Sequence, residues 1–512
     1  MSPITVRNPI IWADVPDISV IRVEDTYYMV STSMHSMPGC PILKSNNLRD
    51  WELHSYVYET LEANDAHELK GGSHIYGKGM WAASLRYHNH MFYVCFSAND
   101  TKQFYIYTTD DIESGNWDRH VIDGLRHDPS LFFDEEHTYV IHGNGRIMIT
   151  ELTADATALK PNGINQLLLE TEKEGMGLRA EGCHAYKMNG YYYLFFIEWP
   201  SVGNKRRREV CYRSESLFGP YESRIVLDDD MNFYNNGVAQ GGIVDTPERE
   251  WYAVLFQDRG AVGRVPILVP MHWSDDWPVL GIDGKVPEEF EAKLPEGEKK
   301  PLTISDDFQS AEQHLPLQWQ WNHNPDHELW SLTKNKGYLT LEAGHVTKSV
   351  EFARNTLTQR TEGPWCSAST SLDISEMIPG NRAGLVALQH DFGAVGVEIS
   401  SNGKAFITLY IRGEDGSDKC IESIPYDGNT IVLKADFNFH QLQDTVDFYY
   451  SSEGNEWNKI GERLQLKYTL THFMGVRIGL YHFATEQIGG VAKFEYFQYD
   501  TSETAADSIN EK

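Results

Sequence analysis

Five stretches of this chain share one layout, and that repetition constrains the fold more than any other feature. Each has a short strand, a polar turn and then a run holding an aromatic pair. They are ISVIRVEDTYYMVST from Ile18, ASLRYHNHMFYVCFS from Ala83, PSLFFDEEHTYVIHG from Pro129, CHAYKMNGYYYLFFIE from Cys183 and GGIVDTPEREWYAVLFQD from Gly241. The intervals, roughly 45 to 65 residues, suit propeller blades rather than helical solenoids. Further strand-like pieces lie between the aromatic runs, such as YIYTTD from Tyr105 and EVCYRSE from Glu209, so each unit supplies about four strands. Long patterns of period 3.6 are absent. The reading is a five-bladed β-propeller over residues 1–286. A large sandwich also has closely spaced strands, but it does not explain five similar hairpins.

The remainder also reads as all-β. Residues 287–301, PEEFEAKLPEGEKKP, are charged, flanked by Pro and without apolar periodicity, which predicts a linker or a strap across the surface. Over 302–500, segments such as AFITLYIRG, TIVLKADFN and VRIGLYHF alternate or run apolar between Gly, Asn and Asp turns, as a β-sandwich requires. The polar tail 501–512 reads as disordered.

A formal charge of −30 argues against nucleic acid or an anionic membrane as partner, because both attract basic surfaces. The one dense basic run, Lys205 to Arg208, reads as a solvated hairpin turn. The 6 cysteines show no CxxC spacing, which makes a metal or redox motif unexpected. MSPITVRNPIIW lacks the charged and apolar regions of a signal peptide, and no apolar segment approaches membrane-span length. The expectation is a soluble cytoplasmic protein, although a mature secreted form cloned with a new Met would look the same.

Three carboxylates stand where a unit's first strand begins: Asp17 in VPDISVIR, Asp128 in RHDPSLFF and Glu181 in RAEGCHAY. First strands of blades line the propeller axis, so the three side chains can converge. Glu181 precedes a stiff aromatic hairpin turning at Asn189-Gly190, and apolar surroundings favour a protonated carboxyl, which makes it a candidate acid. Capping of a strand end by a charge is the plainer alternative. Such a trio suits inverting hydrolysis of a glycosidic bond. That reaction needs an acid and a carboxylate about 6.5–9.5 Å apart, with room for water. A third carboxylate nearby can help to keep the acid protonated.

With these motifs in order, the chain resembles glycoside hydrolase family 43 over nearly its whole length. The resemblance rests on NPIIWADVPDISVIRVEDTYYMVSTS, on WAASLRYHNHMFYVCFS, on the three carboxylate motifs and on QGGIVDTPEREWYAVLFQDRGAVGRVP. LQWQWNHNPD and RNTLTQRTEGP resemble the concanavalin A-like sandwich of that family's β-xylosidases and α-L-arabinofuranosidases. The resemblance implies Asp17 as general base, Glu181 as general acid and Asp128 as modulator of the acid's pKa. It implies Arg264 as a contact to sugar hydroxyls and Trp81 as a wall of the sugar pocket. A structural salt bridge for Arg264 and core packing for Trp81 remain open, and Asp14 is the rival for the base. Ala239 stands where many members carry a His that helps to hold a central metal ion, so neither metal nor cofactor is expected. The implied function is inverting, exo-acting release of a terminal pentose, β-D-xylose or α-L-arabinofuranose, from oligosaccharides. An invertase-like retaining hydrolase would need an Asn-Asp-Pro-Asn-like motif, which is missing. A non-catalytic carbohydrate-binding propeller would not need the three carboxylates. The sandwich is expected to act as a lid. Oligomeric state is not legible.

Overall fold

The computed structural model describes residues 3–414 and 416–501. Its first part is a five-bladed propeller, each blade a four-stranded antiparallel sheet made from four strands close in sequence. The first strands are Ser19–Val23, Met80–His88, Ser130–Asp134, Met176–Met188 and Ala239–Asp245, and each lies against the first strands of both neighbouring blades. The aromatic runs are the second strands, for example Met91–Ala98 and Tyr191–Pro200. Blades stack face to face, so these strands are covered on both sides and read as continuous apolar runs rather than alternating ones. Asn189 and Gly190 form the tight turn between the two long strands of the fourth blade. Both have positive φ, 53° and 84°, as a two-residue hairpin turn demands.

Side chains on the first strands clip each blade to the next. Ser19 Oγ accepts from the Leu85 N–H at 3.0 Å, and Ser84 Oγ accepts from Leu131 at 3.1 Å. Ser130 Oγ accepts from Ala185 at 3.0 Å, and Tyr186 Oη accepts from Ile243 at 2.9 Å. Arg22 closes the ring with a bidentate pair to Asp245, both bonds at 2.8 Å. The serines two residues after Asp17 and two residues after Asp128 thus set how the next blade seats against the axis.

No blade borrows a strand from the other end of the propeller. Instead Ile4–Arg7 pairs antiparallel with Glu289–Ala292, inside the segment read as linker or strap, and joins the two ends of the propeller from outside. The second part stacks an eight-stranded sheet on a seven-stranded one, with Phe437, Phe448, Leu480, Phe494 and Phe497 buried between them. Thr501, assigned to the disordered tail from the sequence, ends the strand Val491–Thr501 and pairs with Cys366; the rest of that tail lies outside the described residues. No helix among the described residues is long and apolar enough to cross a membrane.

The two parts are interwoven. Ser36–Met37, between two strands of the first blade, pairs with Gln320–Asn322 and supplies the edge strand of the eight-stranded sheet. The segment Leu466–Gly475 of the sandwich reaches back over the propeller. Its approach is so close that a Cβ on Gly475 would lie 2.1 Å from the Val262 carbonyl oxygen, which explains the glycine.

Candidate active site

Asp17 and Asp128 occupy the same backbone position in the first and third blades. Both are left-handed, with φ of 53° and 45°, two residues ahead of the clipping serine. A non-glycine residue held there costs on the order of 1–3 kcal/mol, and such outliers gather at functional sites. Asp17 and Asp128 stand just ahead of the strands Ser19–Val23 and Ser130–Asp134, so neither carboxylate sits within a regular strand. Glu181 differs from expectation. It lies inside the strand Met176–Met188 rather than at its start, where the register with Tyr191–Pro200 slips on both sides of it. The bulging re-aims a side chain that a flat strand would direct elsewhere.

The carboxylates have distinct partners. Asp17 is buried, and its Oδ1 accepts from Arg264 Nη1 at 2.6 Å while Oδ2 accepts from Thr32 Oγ1 at 2.7 Å. Glu181 Oε2 lies 2.9 Å from His127 Nε2 and accepts from Asn144 Nδ2 at 2.5 Å. Asp128 is also buried, with His127 Nε2 3.6 Å from its Oδ2. Burial, opposed by His127 and seconded by the negative charges of Glu181 and Asp17, pushes the Asp128 carboxyl up to about 7. His127 responds in the opposite sense. Asp128 raises its imidazole to about 9 against the effect of burial, aided by Glu181, so it carries a positive charge at neutral pH.

Arg264 is buried beneath the site. Burial opposes its charge, but Asp17, Tyr468 and Asp14 hold its pKa above the ordinary guanidinium range. It therefore does make the buried salt bridge that was its structural alternative, and it makes it with Asp17. Trp81 is half-buried at the start of the second blade, with its ring centroid 6.0 Å from that of His127 and 5.4 Å from that of Phe473. Its indole Nε1 is shielded from solvent and has no acceptor among the described residues. Phe473 belongs to the sandwich segment and also lies under Arg264, whose guanidinium carbon is 4.9 Å from the ring centroid. The sandwich thus contributes an aromatic wall to the carboxylate cluster.

Asp14 bridges separate parts of the structure. Its Oδ1 accepts from the Arg264 N–H and its Oδ2 from the Gly475 N–H, each at 2.8 Å. The carboxylate ties the first blade, the fifth blade and the sandwich segment together.

The basic run at Lys205 to Arg208 departs from its reading as a solvated turn. Arg206 pairs with Asp228 and Asp230, Arg207 with Asp258 and Arg208 with Glu198, and all three arginines are partly buried. Arg207 feels Arg264, Tyr468, Asp17 and Glu181; burial first, then Arg264, lowers it to about 10. Three cations, His127, Arg207 and Arg264, therefore face three carboxylates in a chain whose overall charge is −30.

His127, Asn144, Tyr468 and Phe473 are among the residues of this cluster not found from the sequence. His127 adjoins Asp128 in RHDPS, and a histidine next to a candidate carboxylate was a usable signal. Asn144 sits in HGNGR, which reads only as a turn between strands. Tyr468 and Phe473 come from a stretch hundreds of residues away, KYTLTHFMG, with no local pattern that points to the propeller.

Comparison with known proteins gives the same two parts. The family model for glycosyl hydrolases family 43 matches residues 6–278, and that for the β-xylosidase C-terminal concanavalin A-like domain matches residues 305–500. A β-xylosidase of Formosa agariphila is 29% identical over 97% of this chain and 90% of its own length. A non-reducing end α-L-arabinofuranosidase of Bacteroides ovatus is 29% identical over 76% of this chain and 74% of its own. Among solved structures, a bifunctional GH43-CE protein of Bacteroides eggerthii superposes with a TM-score of 0.91 and 43% identity, covering 98% of this chain; the chain spans 64% of that longer protein. Propeller, sandwich and sequence agree: the chain belongs to glycosyl hydrolases family 43 and is a glycosidase.

Proposed function

We propose that the protein removes single terminal pentose units, β-D-xylose or α-L-arabinofuranose, from hemicellulose-derived oligosaccharides by single displacement with inversion. The observation that carries the mechanism is the unequal furnishing of the three carboxylates. Asp17, ion-paired to Arg264 and hydrogen-bonded by Thr32, is the fixed carboxylate that takes the proton of the attacking water. Glu181 gives its proton to the departing glycosidic oxygen. His127 and Asn144 already donate to its Oε2, so the carboxylate left after proton transfer meets two donors in place. Asp128, pushed up to about 7, keeps a shared proton in the pocket at working pH and orients the sugar. Phe473 and Trp81 wall the pocket from the sandwich side and the propeller side, which supports exo-action on chain ends. The names of the relatives, a β-xylosidase and an α-L-arabinofuranosidase, support a pentose at the cleaved end.

Proton NMR of the fresh hydrolysate should show the inverted anomer, and xylo-oligosaccharides or arabinoxylan should yield monosaccharide from the earliest time points. A retained anomer would refute single displacement, and early intermediate oligomers would refute the closed pocket. Nitrophenyl xyloside and arabinofuranoside, assayed side by side, rank the two sugars.

His127 gives a pH prediction. Its positive charge lowers the Asp128 carboxyl beside it, so its removal lets that carboxyl hold its proton to higher pH. In His127→Gln the alkaline limb of the kcat/KM profile should therefore move up by about one pH unit, with the acid limb nearly unchanged. An alkaline limb that stays in place would show that His127 takes no part in the proton balance.

A further inference from the structure

A second cluster of titratable groups lies in the sandwich, where it faces the propeller and outside the carboxylate site. Glu351 is in the short 3-10 turn Val350–Phe352, His390 follows the strand Asn381–Leu388, and His472 precedes Phe473. One ligand atom from each lies within 4.8 Å of the other two. Around Glu351 Oε1, His472 Nε2 stands at 3.5 Å and His390 Nδ1 at 3.7 Å. The first is a hydrogen bond at the limit of its length, and the second is too long for one. Shielded from solvent, His390 Nδ1 has no hydrogen-bond partner among the described residues.

Ligands about 2.0–2.1 Å from a tetrahedral zinc ion sit about 3.3–3.4 Å from one another. The two separations measured from Glu351 Oε1 match that spacing to within a few tenths of an ångström. We propose that Glu351, His390 and His472 form a site for a divalent transition-metal ion of the zinc type, with a fourth position for water. Two imidazoles and one carboxylate are a donor set that suits such ions better than calcium or magnesium.

The surroundings fix the ligands before any ion arrives. Arg412 Nη1 donates to Glu351 Oε2 at 2.5 Å, which leaves Oε1 to the site, and the Ser349 hydroxyl accepts from the Glu351 N–H. Tyr76 of the propeller stacks on the His472 ring, with centroids 3.9 Å apart and planes 1° apart. The Tyr76 hydroxyl is itself fixed, donating to the Glu351 carbonyl at 2.6 Å and accepting from Asn322 Nδ2 at 2.7 Å. Outer partners of this kind orient metal ligands. Protonation is also suitable. Burial lowers the His472 imidazole to about 4 even against Glu351. Burial would raise Glu351, but the hydrogen bonds from His472 and Arg412 overcome it and bring the carboxyl down to about 2. His472 is therefore neutral and Glu351 ionised at neutral pH. The guanidinium of Arg412 subtracts from the attraction for a cation, which weakens the site. A bound ion would fix His472, and through it the neighbouring Phe473 in the wall of the pocket.

The test is calorimetric titration of tag-free, chelator-treated protein with Zn²⁺, together with the absorption spectrum after Co²⁺ is added. The expected result is one equivalent of zinc, a visible cobalt band of low-coordinate type and a rise in Tm with zinc. His390→Ala should weaken binding at least roughly 10-fold and remove the band and the Tm shift. His390 is in a partly exposed loop, so this variant is expected to fold, and its metal-free Tm checks that. A His127→Ala variant controls for the other cluster of three possible ligands, His127, Asp128 and Glu181. The absence of stoichiometric binding would overturn the proposal. So would binding that survives His390→Ala and vanishes in His127→Ala.

Discussion

Turnover should collapse in Asp17→Asn while the protein stays folded and still binds sugar. The asparagine Oδ1 can accept from Arg264 as the carboxylate does, and its Nδ2 can reverse the bond to Thr32, so the hydrogen-bond pattern is kept. What is lost is the charge that takes the proton of water, and with it a rate factor toward the upper end of the roughly 10²–10⁴ assigned to general base catalysis. The fall should be the same on an aryl glycoside and on a disaccharide, because water must be activated whatever leaves. Asp14 gives the contrast. Its two oxygens cap the N–H groups of Arg264 and Gly475, so Asp14→Ala orphans two buried donors, at about 1–3 kcal/mol each. That variant should show a lowered Tm, with residual activity set by how much protein stays folded. If Asp17→Asn kept near-normal kcat/KM and Asp14→Asn were a stable, inactive protein, the base would be Asp14.

Glu181→Ala should separate its substrates by leaving group. A sugar alkoxide is a strong base and cannot depart without a proton, so kcat/KM on a disaccharide should fall on the order of 10²–10⁴. Nitrophenolate departs with little help, and the loss on that substrate should be far smaller. The same variant deprives His127 and Asn144 of their acceptor, which leaves His127 closer to Asp128 in its electrostatics and should alter the pH profile as well. Equal losses on both substrates would show that Glu181 is not the proton donor.

The propeller was legible because its blades are stacked sheets. Strands such as Met91–Ala98 and Tyr191–Pro200 are covered on both faces, so they carry long apolar runs that recur at a regular interval. Asp17 and Asp128 were legible because each stands just ahead of the first strand of its blade, whereas Glu181, read at a strand start, lies inside its strand. Trp81 and Arg264 were reached through family resemblance, since nothing in their own surroundings marks them. The misreading of Lys205 to Arg208 has a plain origin. The partners Asp228, Asp230 and Asp258 lie about 20 to 50 residues further along, and a basic run cannot announce ion pairs made across strands. Tyr468, Phe473 and the Glu351 cluster were beyond reach because they depend on how two domains meet, which no local period encodes.

That meeting has a consequence for recombination. A propeller joined to its neighbour by a linker alone could be cut there and spliced to another partner. Here Ser36–Met37 lies within the first blade yet completes a sheet of the sandwich. A cut at the strap would leave Gln320–Asn322 as an unpaired edge open to association with other chains. It would also leave Asp14 without the Gly475 donor. The two halves therefore form one heritable unit. Additional modules can join this enzyme at its ends, but a crossover between the halves would require compensating changes on both sides of the seam.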